Sequence, residues 1–578
     1  MVNDQLKLCG AFFSAKFQSG QLSKLVLTGL LLSALAPTSW AQQPKQHAVA
    51  SAHPIATAAG HKILAQGGNA FDAAIAVSAT LAVVEPYGSG IGGGGFWLLH
   101  RAKDQFEVMI DGREKAPAAA HRDMYLDEQG NVQKKLSLNG PLAAGIPGEP
   151  AALAHIAQHY GKLPLSQSLA PAIRAARKGF EVSPRYRKLA GFRLKAMQAD
   201  PTTANIFLHQ SEIPALGHLI KQPELAHTLE QLANHGKAGF YQGPIAKALV
   251  KGVRQAGGIW SEQDLKDYQV VERAPIQATI NGLRISAAAP PSSGGIALVT
   301  MLNILSSYDL SQYSDAQQTH LIVEAMRRAY RDRAQHLGDP DFIDIPVAQL
   351  THPFYADGLR NSLRLDRATA STELPGYHLQ QDGRDTTHFS ILDAEGNRVA
   401  ATLSINYPFG AAFTPKGTGV LLNDEMDDFS AKPGIPNAYG LVGAEANAIA
   451  PGKRPLSSMT PTFLETDTRV AILGSPGGSR IITMVLLGAL EFMQNKPVND
   501  WVSRPRFHHQ FLPDSIQFEP NALDKETQQT LTELGHQLKP MTRQYGNMQA
   551  ILWDKQNSKV TAASDPRGEG LAEVKSTR

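Results

Sequence analysis

A layered α+β fold is what this sequence predicts, and three observations carry the expectation. Between residues 121 and 360, helical patterns such as AALAHIAQHYG, LSQSLAPAIRAARKG, ALVTMLNILSSYD and QQTHLIVEAMRRAYRDRAQHLGD alternate with short strands such as APIQATINGLRISAAA. From 386 onward strand patterns dominate at first (TTHFSILD, RVAATLSIN, GTGVLLN, PTFLE, RVAILGS), before a helix at 479–495 and a last pair of strands. No segment recurs at a period of roughly 20 to 50 residues, which sets repeat architectures aside. Strand runs mixed with helix runs favour α+β layers over a parallel doubly wound sheet.

At 578 residues the chain is long enough for several units, although large layered folds often exceed roughly 150 residues as one domain. Hydrophobic residues make up 43% and charged residues 19%, the proportions of a folded protein with a sizeable core. With 55 basic against 52 acidic side chains the formal charge is only +3. That balance argues against a nucleic-acid binder, which concentrates basic residues on one face.

In the first forty residues, Lys7, Lys16 and Lys24 precede the apolar run LVLTGLLLSALAP (25–37) and then TSWAQQ. This reads as a signal peptide cleaved after Ala41. An uncleaved anchor is the other reading, but the run is short against the roughly 20 residues a span needs. The one cysteine, Cys9, lies upstream of the apolar run, so a lipoprotein anchor is not expected. The mature chain would then hold no disulfide, no thiolate metal site and no thiol nucleophile, as suits a large exported bacterial protein.

From 42 to about 120 the chain is rich in alanine and glycine. PIATAAGHKILAQGG and NAFDAAIAVSATLAVVEP read as two helices, the second apolar nearly all round and so buried. In YGSGIGGGGFWLLH, Gly88, Gly90 and Gly93 match G-x-G-x-x-G, but a helix precedes them and a strand follows. A dinucleotide site needs the reverse order, so a close-packed backbone turn is expected instead.

The tract NSLRLDRATASTELPGYHLQQDGRD (361–385) has no apolar periodicity and runs straight into Thr386 and Thr387. Such a tract is either a surface loop or a place where the chain is cut. TTHFSILD and RVAATLSIN then flank the turn DAEGN, whose Gly396 and Asn397 tolerate positive φ. A turn centred on Glu395 sets Thr386 opposite Ser404, with Asn406 two residues further along the same face. A slip of one residue would undo this. A threonine nucleophile needs a base. His388 lies on the same strand face, but no G-x-S-x-G elbow or marked carboxylate accompanies it. The other route makes the threonine a chain N-terminus, whose α-amine has a reference pKa of about 7.7 to 8.0 and is a built-in base. From pattern alone, a plain hairpin with two exposed threonines remains the simpler account.

The segments DTTHFS, LLNDEMDDFSAKPG, KRPLSSMTPT, GSPGGSRI and RPRFHHQFLPD, with DGREKAPA near the N-terminus, resemble in order the motifs of the γ-glutamyltranspeptidases. These are N-terminal-nucleophile (Ntn) hydrolases that cleave themselves into two subunits. The resemblance runs from about residue 45 to the end. It implies a four-layer αββα sandwich, with two stacked antiparallel sheets flanked by helices. It implies a break between Asp385 and Thr386, giving a large subunit (42–385) and a small catalytic one (386–578) intertwined in one fold. Thr386 would attack the γ-amide carbonyl of glutathione or a related compound. The resulting γ-glutamyl ester would pass to water or to an amino acid or dipeptide acceptor.

The resemblance also assigns roles. Ser404, at a position often held by threonine, would support Thr386, and Asn406 would contact substrate. Glu425 and Asp428 would anchor the substrate α-amino group. Arg113 would hold the α-carboxylate through its planar fork, with Ser457 and Ser458 as helpers. Gly477 and Gly478 would line the oxyanion hole, where losing one donor typically costs about 10² to 10³ in rate. KPGIPNAYGLVG (432–443) resembles the lid loop, with Tyr439 in the gating position. Without the resemblance, NDEMDDF reads as a solvated loop or a weak calcium site lacking the usual spacing. Arg113 would be a surface arginine, and PLSSM and SPGGSR would be turns. His508 and His509 point to opposite strand faces and read as structural.

The expected function is therefore a self-processing γ-glutamyltransferase and hydrolase, periplasmic and free of cofactor or metal. Two readings compete. A cephalosporin or glutaryl acylase on the same scaffold would have no α-amino group for Glu425 and Asp428 to hold. A periplasmic γ-glutamyl peptide-binding protein would have no reason to break its chain.

Overall fold

Asn69 opens the helix Ala70–Val84 with a capping box, its side chain accepting from Phe71 and Asp72 N–H while Asp72 accepts from Asn69 N–H. All fifteen residues of that helix are buried, as an all-round apolar sequence requires. The Asp72 carboxylate also takes the N–H groups of Lys162 and Leu163, so its burial leaves no unmet acceptor. The computed structural model describes residues 43–374, 386–435, 437, 440, 441 and 443–576. The expected signal peptide, Asp385 and Tyr439 lie outside the described residues.

Two antiparallel sheets form the centre. The seven-stranded sheet runs Leu571–Ser576, Gln46–Ser51, Thr387–Leu392, Arg398–Ser404, Gly94–Arg101, Phe106–Gly112 and Val271–Arg273. The six-stranded sheet runs Lys559–Ser564, Gln549–Asp554, Arg469–Gly474, Thr462–Glu465, Leu283–Ala287 and Ile276–Ile280. Alternation along each strand of the first sheet feeds two cores. Val49, Trp97, Leu99, Phe389 and Ile391 pack with the helices Pro54–Ala65, Ala70–Val84 and Glu149–His159. Ala48, Ala50, Phe96, Leu98 and Ala400 pack toward Ile285, Phe463 and Ile472 of the second sheet. That sheet in turn carries the helices Gly294–Leu305 and Ile481–Met493. The result is the αββα layering expected. Each large apolar side chain buried this way contributes about 1.5 to 3 kcal/mol.

Three local readings differ from the structure. APIQATINGLRISAAA is two strands rather than one, because Asn281 and Gly282 both take positive φ (49° and 80°) and close a tight hairpin. GTGVLLN is no strand; only Leu422 bridges, to Gly92. The C-terminus supplies three strands rather than a pair, and the last of them joins the first sheet. The glycine run does pack closely: a Cβ on Gly92, Gly93 or Gly94 would collide with the carbonyl oxygen of Leu421, Ser404 or Gly112. Bare backbone there lets the strand Gly94–Arg101 lie against the end of the strand carrying Ser404.

The segments before 374 and after 386 are also tied by buried polar contacts. Arg327 bonds both Ser371 and Asp514, and His320 Nδ1 meets His536 Nε2 at 2.8 Å. Burial alone would raise Glu324, but Arg327 and Arg328 outweigh it and hold the carboxyl down to about 2.

Candidate active site

The turn Asp393–Asn397 is held by its own first residue. Asp393 Oδ1 accepts from Glu395 and Asn397 N–H at 2.9 Å each, and Oδ2 accepts from Asn397 Nδ2 at 2.8 Å. Gly396 alone takes the left-handed conformation, at φ 90°. The register that follows pairs Leu392 with Arg398, His388 with Thr402 and Thr387 with Leu403. Thr386 and Ser404 are the next positions in that ladder, as the symmetric turn predicts. Both line one cleft together with Arg113, Arg333, Asn406, Asp428, Ser457, Ser458 and Gly478. The cleft encloses about 300 Å³.

Each polar wall of the cleft is fixed by its surroundings. Ser404 Oγ accepts from Asn406 N–H at 2.7 Å, while Asn406 Nδ2 donates to the Asp424 carbonyl at 2.9 Å. Asn406 sits at φ 70°, a conformation asparagine tolerates better than most residues. Arg113 follows the strand Phe106–Gly112 and is 1% exposed. Its guanidinium pairs with Glu425 at 2.7 Å and with Asp428 at 2.5 Å, and Nε donates to the Pro455 carbonyl at 3.3 Å. Glu425 and Asp428 come from one turn of 3₁₀ helix, Glu425–Asp428. Burial alone would lower Arg113, but Glu425, Asp428 and Glu114 reverse the shift and hold it fully charged. Burial raises the carboxyls of Glu114 and Glu425, Arg113 opposing in both cases. Asp428 lines the cleft, whereas Glu425 lies behind Arg113. In the empty site the expected cation-binding and anion-binding residues therefore satisfy each other.

Ser457 Oγ accepts from Met459 N–H at 3.1 Å, keeping its own proton free to donate. Gly477 and Gly478 occupy φ 143° and 56° just before the helix Ile481–Met493, and a Cβ on Gly477 would come within 2.6 Å of Met484 Cε. Two neighbours escaped the sequence reading. Arg333 donates to Ser293 Oγ at 3.0 Å and to Ser458 Oγ at 3.2 Å, and burial lowers its pKa to about 10. Glu85 accepts from the Thr387 hydroxyl at 2.6 Å, one residue from Thr386.

His388 is not placed as a base for Thr386. Its ring meets Thr402 Oγ1 at 2.8 Å and Ser390 Oγ at 3.2 Å, and burial pushes its pKa down to about 3. His508 and His509 reach different partners, Thr483 with Gln510 and Asp514 with Phe511 N–H. Elsewhere, His320, Glu324 and His536 present ligand atoms within 4.8 Å of one another. The two arginines on Glu324 and the His–His contact already satisfy that cluster.

The sequence profile of the γ-glutamyltranspeptidase family matches residues 56–574. The chain is 40% identical over 531 residues to a glutathione hydrolase proenzyme of Escherichia coli, covering 90% of each. It is 42% identical over 492 residues to a glutathione hydrolase proenzyme of a Pseudomonas species, covering 84% of this chain and 85% of that one. Among solved structures it resembles a cephalosporin acylase from Bacillus halodurans with a TM-score of 0.81 at 26% identity, covering 92% of this chain and 96% of that one. A Helicobacter pylori γ-glutamyltranspeptidase chain aligns with a TM-score of 0.55 at 39% identity, over 56% of this chain and 94% of that one.

Proposed function

Because the chain belongs to the γ-glutamyltranspeptidase family, we propose that its cleft runs γ-glutamyl transfer and hydrolysis through Thr386, freed as an N-terminus by a break after Asp385. The observation that carries this reading is the shared cleft, where Thr386 and Ser404 meet Arg113 and Asp428. The α-amine of a freed Thr386 takes the hydroxyl proton, and Oγ1 attacks the γ-carbonyl carbon of glutathione or a related γ-glutamyl compound. Backbone N–H groups at Gly477 and Gly478 stabilise the oxyanion. The amide bond then breaks, the leaving amine takes the proton, and a γ-glutamyl ester remains. Water or an acceptor amine attacks that ester in the second half-reaction. Arg113, with Ser457 and Ser458, holds the substrate α-carboxylate, while Asp428 and Glu425 hold the α-ammonium. For both to bind, substrate must slip between Arg113 and Asp428, exchanging one ion pair for two.

No group in this scheme supplies metal or cofactor chemistry; the amine, hydroxyl and N–H groups are sufficient. No helix of the described residues is long and apolar enough to cross a membrane. Export to the periplasm rests on the N-terminal sequence pattern alone. The acylase reading has the Bacillus halodurans neighbour in its favour, but Asp428 on the cleft wall favours an α-amino acid substrate.

Denaturing electrophoresis of purified protein should show two bands, dividing the chain at 385/386. The matured protein should release anilide from a γ-glutamyl anilide, and faster when a dipeptide acceptor is added. One band, or preference for a glutaryl anilide, would overturn the reading. Ser404→Ala should slow the chain break and Ser404→Thr should leave it nearly unaltered, since the hydroxyl is what the position supplies. If both variants mature like the wild type, Ser404 has no part in processing.

A further inference from the structure

The turn that carries Gly477 and Gly478 borders two cavities. Gly478 and Ser479 face the cleft holding Thr386; Pro476, Gly477 and Arg480 line a second, open pocket of about 720 Å³. Its chemistry is one-sided. Arg185, Lys188, Arg480, Arg543 and Arg567 all line it, and none of its described lining residues is acidic. Arg567 is neutralised by Glu519 at 2.7 Å and Asp565 at 3.0 Å. Glu569 lies nearby, but its carboxylate accepts from the backbone N–H of Arg185 at 3.1 Å rather than from the guanidinium. Arg480 stacks over Tyr545, 5.1 Å from the ring centroid, and the Tyr545 hydroxyl is buried with no hydrogen-bond partner.

The pocket is also close to the nucleophile. Arg185 lies 5.7 Å from the ring centroid of Tyr87. The next residue, Gly88, sits against Thr386, where a Cβ would come 3.6 Å from the threonine carbonyl oxygen. A surplus of positive charge beside the oxyanion turn suits an anion attached to the group that leaves or attacks there. The peptide expelled from glutathione ends in a free carboxylate, and so does an amino acid or dipeptide acceptor. The γ-glutamyl clamp, with Arg113, holds the other carboxylate, that of the donor.

We infer that this basic pocket binds the free carboxylate of the amino acid or short peptide that leaves from, or accepts, the γ-glutamyl group. The inference rests on the γ-glutamyl reading of the cleft. Lys188 and Arg543 are the cations to remove, since neither lines the cleft. A Lys188→Gln, Arg543→Gln double variant would be purified as matured, two-band protein. The first arm compares glycylglycine with glycylglycine amide as acceptors of a γ-glutamyl anilide. The wild type should favour the free carboxylate, and the double variant should lose about tenfold or more of that kcat/KM ratio, the scale of one charge-assisted hydrogen bond. The second arm compares glutathione with the γ-glutamyl anilide as donors, whose leaving groups differ in the carboxylate. A fall in the first ratio alone assigns the pocket to the acceptor, in the second alone to the leaving peptide, and in both to either. If neither ratio moves by more than about twofold, or if the wild type does not distinguish acid from amide, the pocket binds no substrate carboxylate. Should the wild type release no anilide at all, the γ-glutamyl reading itself fails, a result separate from any of these.

Discussion

Thr386→Ala is expected to remain a single uncut chain with no measurable turnover. The substitution removes one hydroxyl at a position 5% exposed, so the fold should survive. What goes is the attacking oxygen of both proposed reactions, the chain break and γ-glutamyl transfer. Removing the nucleophile of a hydrolase costs on the order of 10⁶ in kcat. Thr386→Ser keeps the hydroxyl and should still break, more slowly. Electrophoresis over time and an anilide assay read both outcomes. Cleavage of the alanine variant at the Asp385–Thr386 bond would show that another group does the cutting.

The second large effect concerns the clamp. Asp428→Asn should lower kcat/KM for a γ-glutamyl anilide by about 10- to 150-fold, since hydrogen bonds to charged groups contribute about 1.5 to 3 kcal/mol. A glutaryl anilide, which has no α-substituents, should lose much less. Arg113 needs a gentler change. It neutralises Glu425, Asp428 and Glu114 in a buried site, and stripping the charge from such a group typically costs about 3 to 5 kcal/mol of stability. Arg113→Lys keeps the charge while losing the planar fork, and should show the same contrast between the two anilides. Equal losses on both substrates, measured on matured protein, would make either residue structural and sink the clamp.

How far the sequence foretold this site depended on how local each signal was. The hairpin register was legible because strands alternate with period two and Gly396 marks the turn. The layering was legible from the order of helix and strand runs. Arg333 was not, because RRAYRDR presents four arginines on one helix and nothing in the spacing marks one out. Tertiary contacts separate them: Arg327 goes to Asp514, Arg328 to Glu324, and Arg333 to the cleft. The basic pocket was equally hidden, since its cations come from the helix Pro184–Ala199 and from three separate stretches beyond residue 479. GTGVLLN was misread because an apolar run beside glycines resembles a strand, whereas here it packs its backbone against the bare Gly92.

The strand order of the seven-stranded sheet has one more consequence. Gln46–Ser51 lies between Leu571–Ser576 and Thr387–Leu392, and Gly94–Arg101 lies beside Arg398–Ser404. A sheet woven from both sides of the break can be assembled in one step only while the chain is continuous. The intact precursor can unfold and refold at a rate independent of dilution. After the break, the same recovery becomes an encounter between two molecules, slower at every dilution and exposed to aggregation while each half waits. The break therefore gives the protein a memory of having folded once. Dilute refolding yields after denaturation should be high for Thr386→Ala and should fall with concentration for the matured enzyme.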